Sequence, residues 1–535
     1  MKTRSARLAV FQKYFLAIFA GLLLASCNTI RGGPEPDTLR INLGAEPPGL
    51  DWDLQTDSTS FDVVSNLMTG LTQYTPDLKC APGCAQSWEV LDGGTRYLFH
   101  LRHGMVWTDG KPVVAQDFEY AWQRLFNPAT AAQYAYLYYD VVNSYEFNTG
   151  KLKDATQVGA RALDPYTFEV RLKKPAAYFI YLTAICPSYP QRKDLIARWG
   201  EHWTDPEHMV TNGPFMLSKW AHEYKIELVA NEKYFEGPPG VKKIKMFMVN
   251  EQSTAFALYE NDQLDFVDNR SFSTSDVERF KNSPEYHNVP LLRNNYIGFN
   301  VLKKPFDDPR IRRAFSLAVD RSVFPKILRR NERPAYCWIP PALAGYSRDS
   351  EVQYDPVEAK RLFAEAGYPD GKGFPAVELL YPAREDTQLV VEQIQDQLKR
   401  NLGATINLQN EEWKVYLEHL HRDPPAIFRN SWGADFPDPQ TFMDIFTKHS
   451  GNNDTRWTSD RYDQLIAKAS GDQNPGERAQ LYAQADKTVS RDQAIIAPLY
   501  LATQNAMVKP WVSGLEFNAC DIQFFKHCKV TTSTK

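Results

Sequence analysis

A mixed α/β fold of more than one domain is predicted by three observations. Apolar stripes at helical spacing follow proline-bearing caps, other segments alternate apolar and polar residues as strands do, and 535 residues exceed what one hydrophobic core usually serves. In chain order, Tyr97, Phe99 and Leu101 alternate with polar neighbours and predict a strand. Thr108-Asp109-Gly110-Lys111-Pro112 predicts a turn. Tyr166, Phe168, Val170 and Leu172 repeat the strand pattern. Asp308-Pro309 offers an N-cap with proline at the first helical position, and Ile311, Ala314, Phe315, Ala318 and Val319 share one face after it. Asp355-Pro356 repeats the device: Glu358 stands where a capping box needs its partner, Ala359, Leu362, Phe363 and Ala366 form the stripe, and Gly367 supplies the stop. No internal repeat or low-complexity tract is present.

The N-terminus has its own logic. Lys2, Arg4, Arg7 and Lys13 precede a short apolar run from Tyr14 to Ala25, the layout of a secretory signal. Leu24-Ala25-Ser26-Cys27 resembles the lipobox of bacterial lipoproteins, which implies acylation of Cys27 after removal of residues 1–26. An ordinary signal peptide with an incidental cysteine is the competing reading; the small residues before Cys27 favour the lipobox. Residues 27–37 then read as a lipidated tether, and the location as extracytoplasmic, periplasm or cell surface.

Removing the leader takes away four basic residues and no acids, so the net charge moves from −4 to −8. A nucleic-acid binder would show a clustered basic face instead. No later stretch approaches 18 uninterrupted apolar residues, which excludes a transmembrane helix there. Six cysteines remain after Cys27, an even number in an oxidising compartment. Proximity favours disulfides Cys80–Cys84 and Cys520–Cys528, leaving Cys186 and Cys337 as a third pair; other connectivities stay open.

Chemistry is sparse. There is no His-Glu-x-x-His helix, Gly-x-Ser-x-Gly elbow or P-loop, and no cofactor is implied. His419 and His421 fall on different helix faces, and Asp307-Asp308 and Glu411-Glu412 read as caps and surface charge. The positive signal is aromatic. Tyr134, Tyr136, Tyr138 and Tyr139 occupy one short segment; Trp432, Asp435 and Phe436 occupy another. Either these are buried loops, or flat rings flank a ligand whose positive end meets a carboxylate. Composition leaves the two readings even.

Longer motifs tip the balance: Ala85-Gln86-Ser87-Trp88, Trp107-Thr108-Asp109-Gly110-Lys111-Pro112-Val113, Thr211-Asn212-Gly213-Pro214-Phe215, Pro305-Phe306-Asp307-Asp308-Pro309-Arg310, Ala364-Glu365-Ala366-Gly367-Tyr368 and Val508-Lys509-Pro510-Trp511. With these the chain resembles the extracytoplasmic solute-binding proteins of peptide ABC transporters, the family 5 oligopeptide- and dipeptide-binding group, from about Leu39 to Trp511. The resemblance implies a two-lobed periplasmic-binding-protein fold, class II-like and of cluster C. Lobe I would join 38–68, 194–291 and 506–535, an extra domain would cover 69–193, and the other lobe 292–505. It implies a monomer that binds peptides with a free N-terminus and serves permease subunits, and that is no enzyme. Asp435 matches the carboxylate that meets the peptide ammonium, with Trp432, Arg429, Trp413 and Tyr134 around it. Departures are Gly433 and Arg293, where relatives carry a disulfide, and Leu420, Gly298 and Thr387, where an Arg, a Glu and a His are expected. The same scaffold holding murein peptide, a nickel complex, haem or oligosaccharide is the alternative ligand reading. An exported hydrolase or a holdase chaperone is the alternative in class.

Overall fold

The computed structural model describes residues 32–532. The leader, Cys27 and the start of the tether lie outside the described residues. Where short-range chemistry decides, the expected elements form. Asp308 caps helix Pro309–Leu317 by accepting the Arg310 N–H at 2.8 Å. Asp355 caps Pro356–Glu365 through the Glu358 N–H at 3.0 Å. The capping box expected there is only half formed, because the Glu358 carboxylate turns to Arg361 at 2.6 Å. Strands Arg96–Leu101 and Thr167–Arg171 bury their alternating apolar residues.

These two strands belong to a four-stranded antiparallel sheet, ordered Ala85–Leu91, Arg96–Leu101, Thr167–Arg171, Ala160–Asp164, on which helix Ala115–Leu125 packs. The larger sheet has eleven strands and runs through both lobes. Its middle is a long antiparallel pair, Tyr286–Phe299 and Ile496–Val508. One half of that pair, with Phe266–Val267, joins Thr38–Asn42, Lys243–Phe247, Lys225–Ala230 and Phe215–Ala221. The other half joins Ile427–Gly433, Val377–Pro382 and Ile406–Glu411. The register shifts between Pro290 and Asn294, where proline cannot donate to the ladder. The chain thus crosses between lobes twice, side by side.

The main core spans both halves of the large sheet, joining Leu39, Ile41 and Met246 of one with Tyr296, Leu380 and Phe428 of the other. Ile297, Phe299, Phe306, Phe315, Val390, Ile394 and Leu499 belong to a core under the second half-sheet. Phe256, Tyr259, Val267 and Phe272 form a small cluster beside the crossover.

The expected disulfides are corrected: Cys80, Cys84, Cys186, Cys337, Cys520 and Cys528 are all free thiols. Short spacing is a poor guide at this corner. Cys80 faces Tyr74 across a two-stranded ladder, whereas Cys84 turns inward to the Thr69 carbonyl at 3.2 Å and the Asn212 amide at 3.3 Å. Cys337 lies in the other lobe, its thiol directed at the Ile339 carbonyl.

Candidate functional site: the cleft between the lobes

Strand Ile427–Gly433 runs antiparallel to Tyr286–Phe299 and delivers its last residues to a cleft of about 290 Å³. Just past its end the chain turns, so that Trp432 and Asp435 face into this cleft. Asp435 is half-buried and held by two hydroxyls. Thr441, on the short helix Gln440–Met443, donates to Oδ2 at 2.8 Å, and Tyr134, from the 69–193 segment, donates to Oδ1 at 2.8 Å. Burial pushes this carboxyl up to about 6, against the pull of those hydrogen bonds. Trp432 meets Tyr134 edge-on at 6.4 Å, and Phe61 stacks on Tyr134 at 5.9 Å. Trp413 opens helix Trp413–Arg422, which Glu412 caps, and stacks on Tyr416 at 5.9 Å.

Arg429 is 8% exposed and makes no ion pair among the described residues. It donates to Asn295 Oδ1 and to the Tyr500 hydroxyl, and its Nε is buried with no partner. An unpaired guanidinium is expensive to bury, so an anion arriving here is strongly favoured. All five residues singled out from the sequence, Asp435, Trp432, Arg429, Trp413 and Tyr134, therefore line one cleft. Tyr138, from the same tyrosine run, does not: its hydroxyl binds the Leu182 carbonyl inside the core.

Most other cleft charges neutralise one another. Arg270 pairs with Asp62 at 2.6 Å and with Asp268; Arg330 pairs with Glu332 and Asp386, both at 3.0 Å; Arg384 shares Asp386 at 3.1 Å. His421 meets Asp454 at 3.2 Å and Arg293 meets Asp521 at 3.4 Å. These residues are scattered along the chain and had no local signature. Arg293 was visible only as a missing cysteine. In the structure it lies opposite Gly433, and its guanidinium covers that glycine so closely that a Cβ there would sit 3.1 Å from Cζ. Gly298 has a packing reason too, since a Cβ would come within 2.2 Å of the Phe428 ring.

Residues 79–454 match the family described as bacterial extracellular solute-binding proteins, family 5. The periplasmic oligopeptide-binding protein OppA of Salmonella typhimurium is 33% identical over 520 residues, covering 93% of this chain and 94% of OppA. The probable deoxycholate-binding periplasmic protein YgiS of Escherichia coli is 32% identical, covering 89% of this chain and 90% of YgiS. Among solved structures, the murein tripeptide binding protein MppA of Escherichia coli superimposes with a TM-score of 0.88 at 29% identity, over 92% of this chain and 98% of that one. The unliganded open form of MppA gives 0.63, over 93% and 98%. By sequence match, two-lobed architecture and cleft position, the chain belongs to the family 5 bacterial extracellular solute-binding proteins.

Proposed function

We propose that this protein is an extracytoplasmic receptor that closes its lobes on short peptides with a free N-terminus and hands them to an ABC permease. It acts as a monomer, carries out no bond-making chemistry, and is held at a membrane by lipid on Cys27. Residues 38–68, 194–291 and 506–535 form one lobe, 292–505 the other, and 69–193 an added domain that brings Tyr134 to the ligand.

The observation that carries this reading is Asp435. It is a half-buried carboxylate held by two hydroxyls, Tyr134 and Thr441, and among the described residues it makes no ion pair with a cation. A peptide ammonium supplies the missing charge, and Arg429 supplies the counterpart for a peptide carboxylate. An anion without an amine would leave Asp435 uncompensated, which favours peptide over a bile acid. Extended peptide backbone suits a site rimmed by strand Ile427–Gly433, and waters fill the remaining space around varied side chains.

The test is native mass spectrometry of protein refolded free of ligand and offered a mixed peptide pool. Peptides with free N-termini are expected to be retained and N-acetylated ones rejected. Indifference to acetylation would remove the role given to Asp435.

A further inference from the structure

Among the described residues, three charged side chains lining the cleft make no ion pair: Asp435, Arg429 and Asp57. A zwitterionic peptide satisfies the first two, its ammonium on Asp435 and its carboxylate on Arg429. Asp57 is left over.

Asp57 is the N-cap of helix Ser58–Leu67, and only half of its carboxylate does that work. Oδ1 accepts the Ser60 N–H at 3.0 Å, while Oδ2 is buried with no hydrogen-bond partner. The residue is 5% exposed. Ser60 Oγ and Trp413 Nε1, both neutral donors, approach this carboxylate and ease its charge without supplying a cation. Asp57 also acts electrostatically on Tyr134, the same ring that donates to Asp435, and all three residues line the cleft. A cap needs neither a second buried oxygen nor a place in the cleft; Ser or Asn would serve the helix equally well. A buried carboxylate lacking a cation, beside tryptophan and tyrosine rings, is the environment that receives an ammonium or guanidinium by charge and by cation–π attraction.

We infer that Asp57, with Trp413 and Tyr134, forms a second cation subsite, so that the preferred peptides carry a lysine or arginine in one of their first two positions. This rests on the peptide reading above. It deepens that reading by setting the ligand's charge: one more positive group than a neutral peptide supplies.

The experiment is calorimetric titration of the full mature chain, refolded free of ligand, with trialanine and with tripeptides carrying lysine or its uncharged isostere norleucine at position one, two or three. Lysine is expected to exceed norleucine by at least tenfold at one of the first two positions. Asp57→Asn, which keeps the helix cap, is expected to bring that ratio close to one, with the thermal midpoint checked alongside. A ratio near one at every position in the unaltered protein, or a tenfold ratio that survives Asp57→Asn, overturns the subsite. If trialanine binds and charge makes no difference, only the subsite falls. If no peptide binds at all, the peptide reading falls and takes the subsite with it.

Discussion

Asp435 does two opposed things, and pH separates them. Burial makes its charged form costly, so in the free protein it titrates at about 6. A bound ammonium favours the charged form and lowers that value. Affinity is therefore full above about pH 6 and is lost as pH falls through the free-state value, by up to about tenfold per unit. Titrations between pH 8 and 5 check the slope. Asp435→Asn is expected to weaken binding by about 2–5 kcal/mol and to remove its share of the slope. The slope that remains reports on Asp57, Asp62 and Asp521, which line the same cleft and whose carboxyls burial pushes up. Unchanged affinity in Asp435→Asn would make this a structural loop. At this scale the sequence was informative where residues cluster: Arg429, Trp432 and Asp435 lie within one heptapeptide. Asp57 was hidden because, at a helix start, a second use of its carboxylate leaves no mark on the sequence.

The elements repeat the contrast between local and distant causes. Caps and strand alternation are written within four or five residues, so the helices after Asp308 and Asp355 were legible. Asp308→Ala is expected to cost about 1 kcal/mol in chemical denaturation, because it removes the acceptor for the Arg310 N–H. A change within error would mean that the helix end is held by other contacts. The strand Tyr286–Phe299 was not legible. It contains a proline, lacks clean alternation, and changes partners midway, from the 503–507 stretch alone to both 496–501 and 427–433. No sequence window carries that information, because it depends on which lobe each half serves. The Cys80–Cys84 expectation failed for a similar reason: Cys80 lies in a ladder opposite Tyr74, whereas Cys84, past the end of that strand, turns to Thr69 and Asn212.

For the whole molecule, the difference in likeness to MppA (0.88 against 0.63 for the unliganded open form) describes a protein with its lobes together. Contacts across the cleft support that arrangement. Arg384 donates to the Asn269 carbonyl at 3.2 Å, Tyr178 stacks on Phe436 at 5.7 Å, and Tyr134 reaches Asp435. Charges that a ligand would neutralise oppose it, since Asp57 and Asp435 line the same cleft. Peptide is thus expected to shift the population towards closure, seen as a smaller radius of gyration in small-angle scattering of saturated against ligand-free protein. Equal radii would mean that binding and closure are uncoupled.

The paired crossing strands also impose an order of assembly. Phe266 and Val267 find their antiparallel partners only in Val508 and Met507, and Asn66 is gripped by the backbone of Gln523 and Phe525. The body that begins the described chain is therefore finished last, after the 239 residues between Val267 and Met507 have been made and folded upon themselves. Until then its sheet keeps an open edge. A lesion in the final thirty residues thus strikes the first-made part of the molecule.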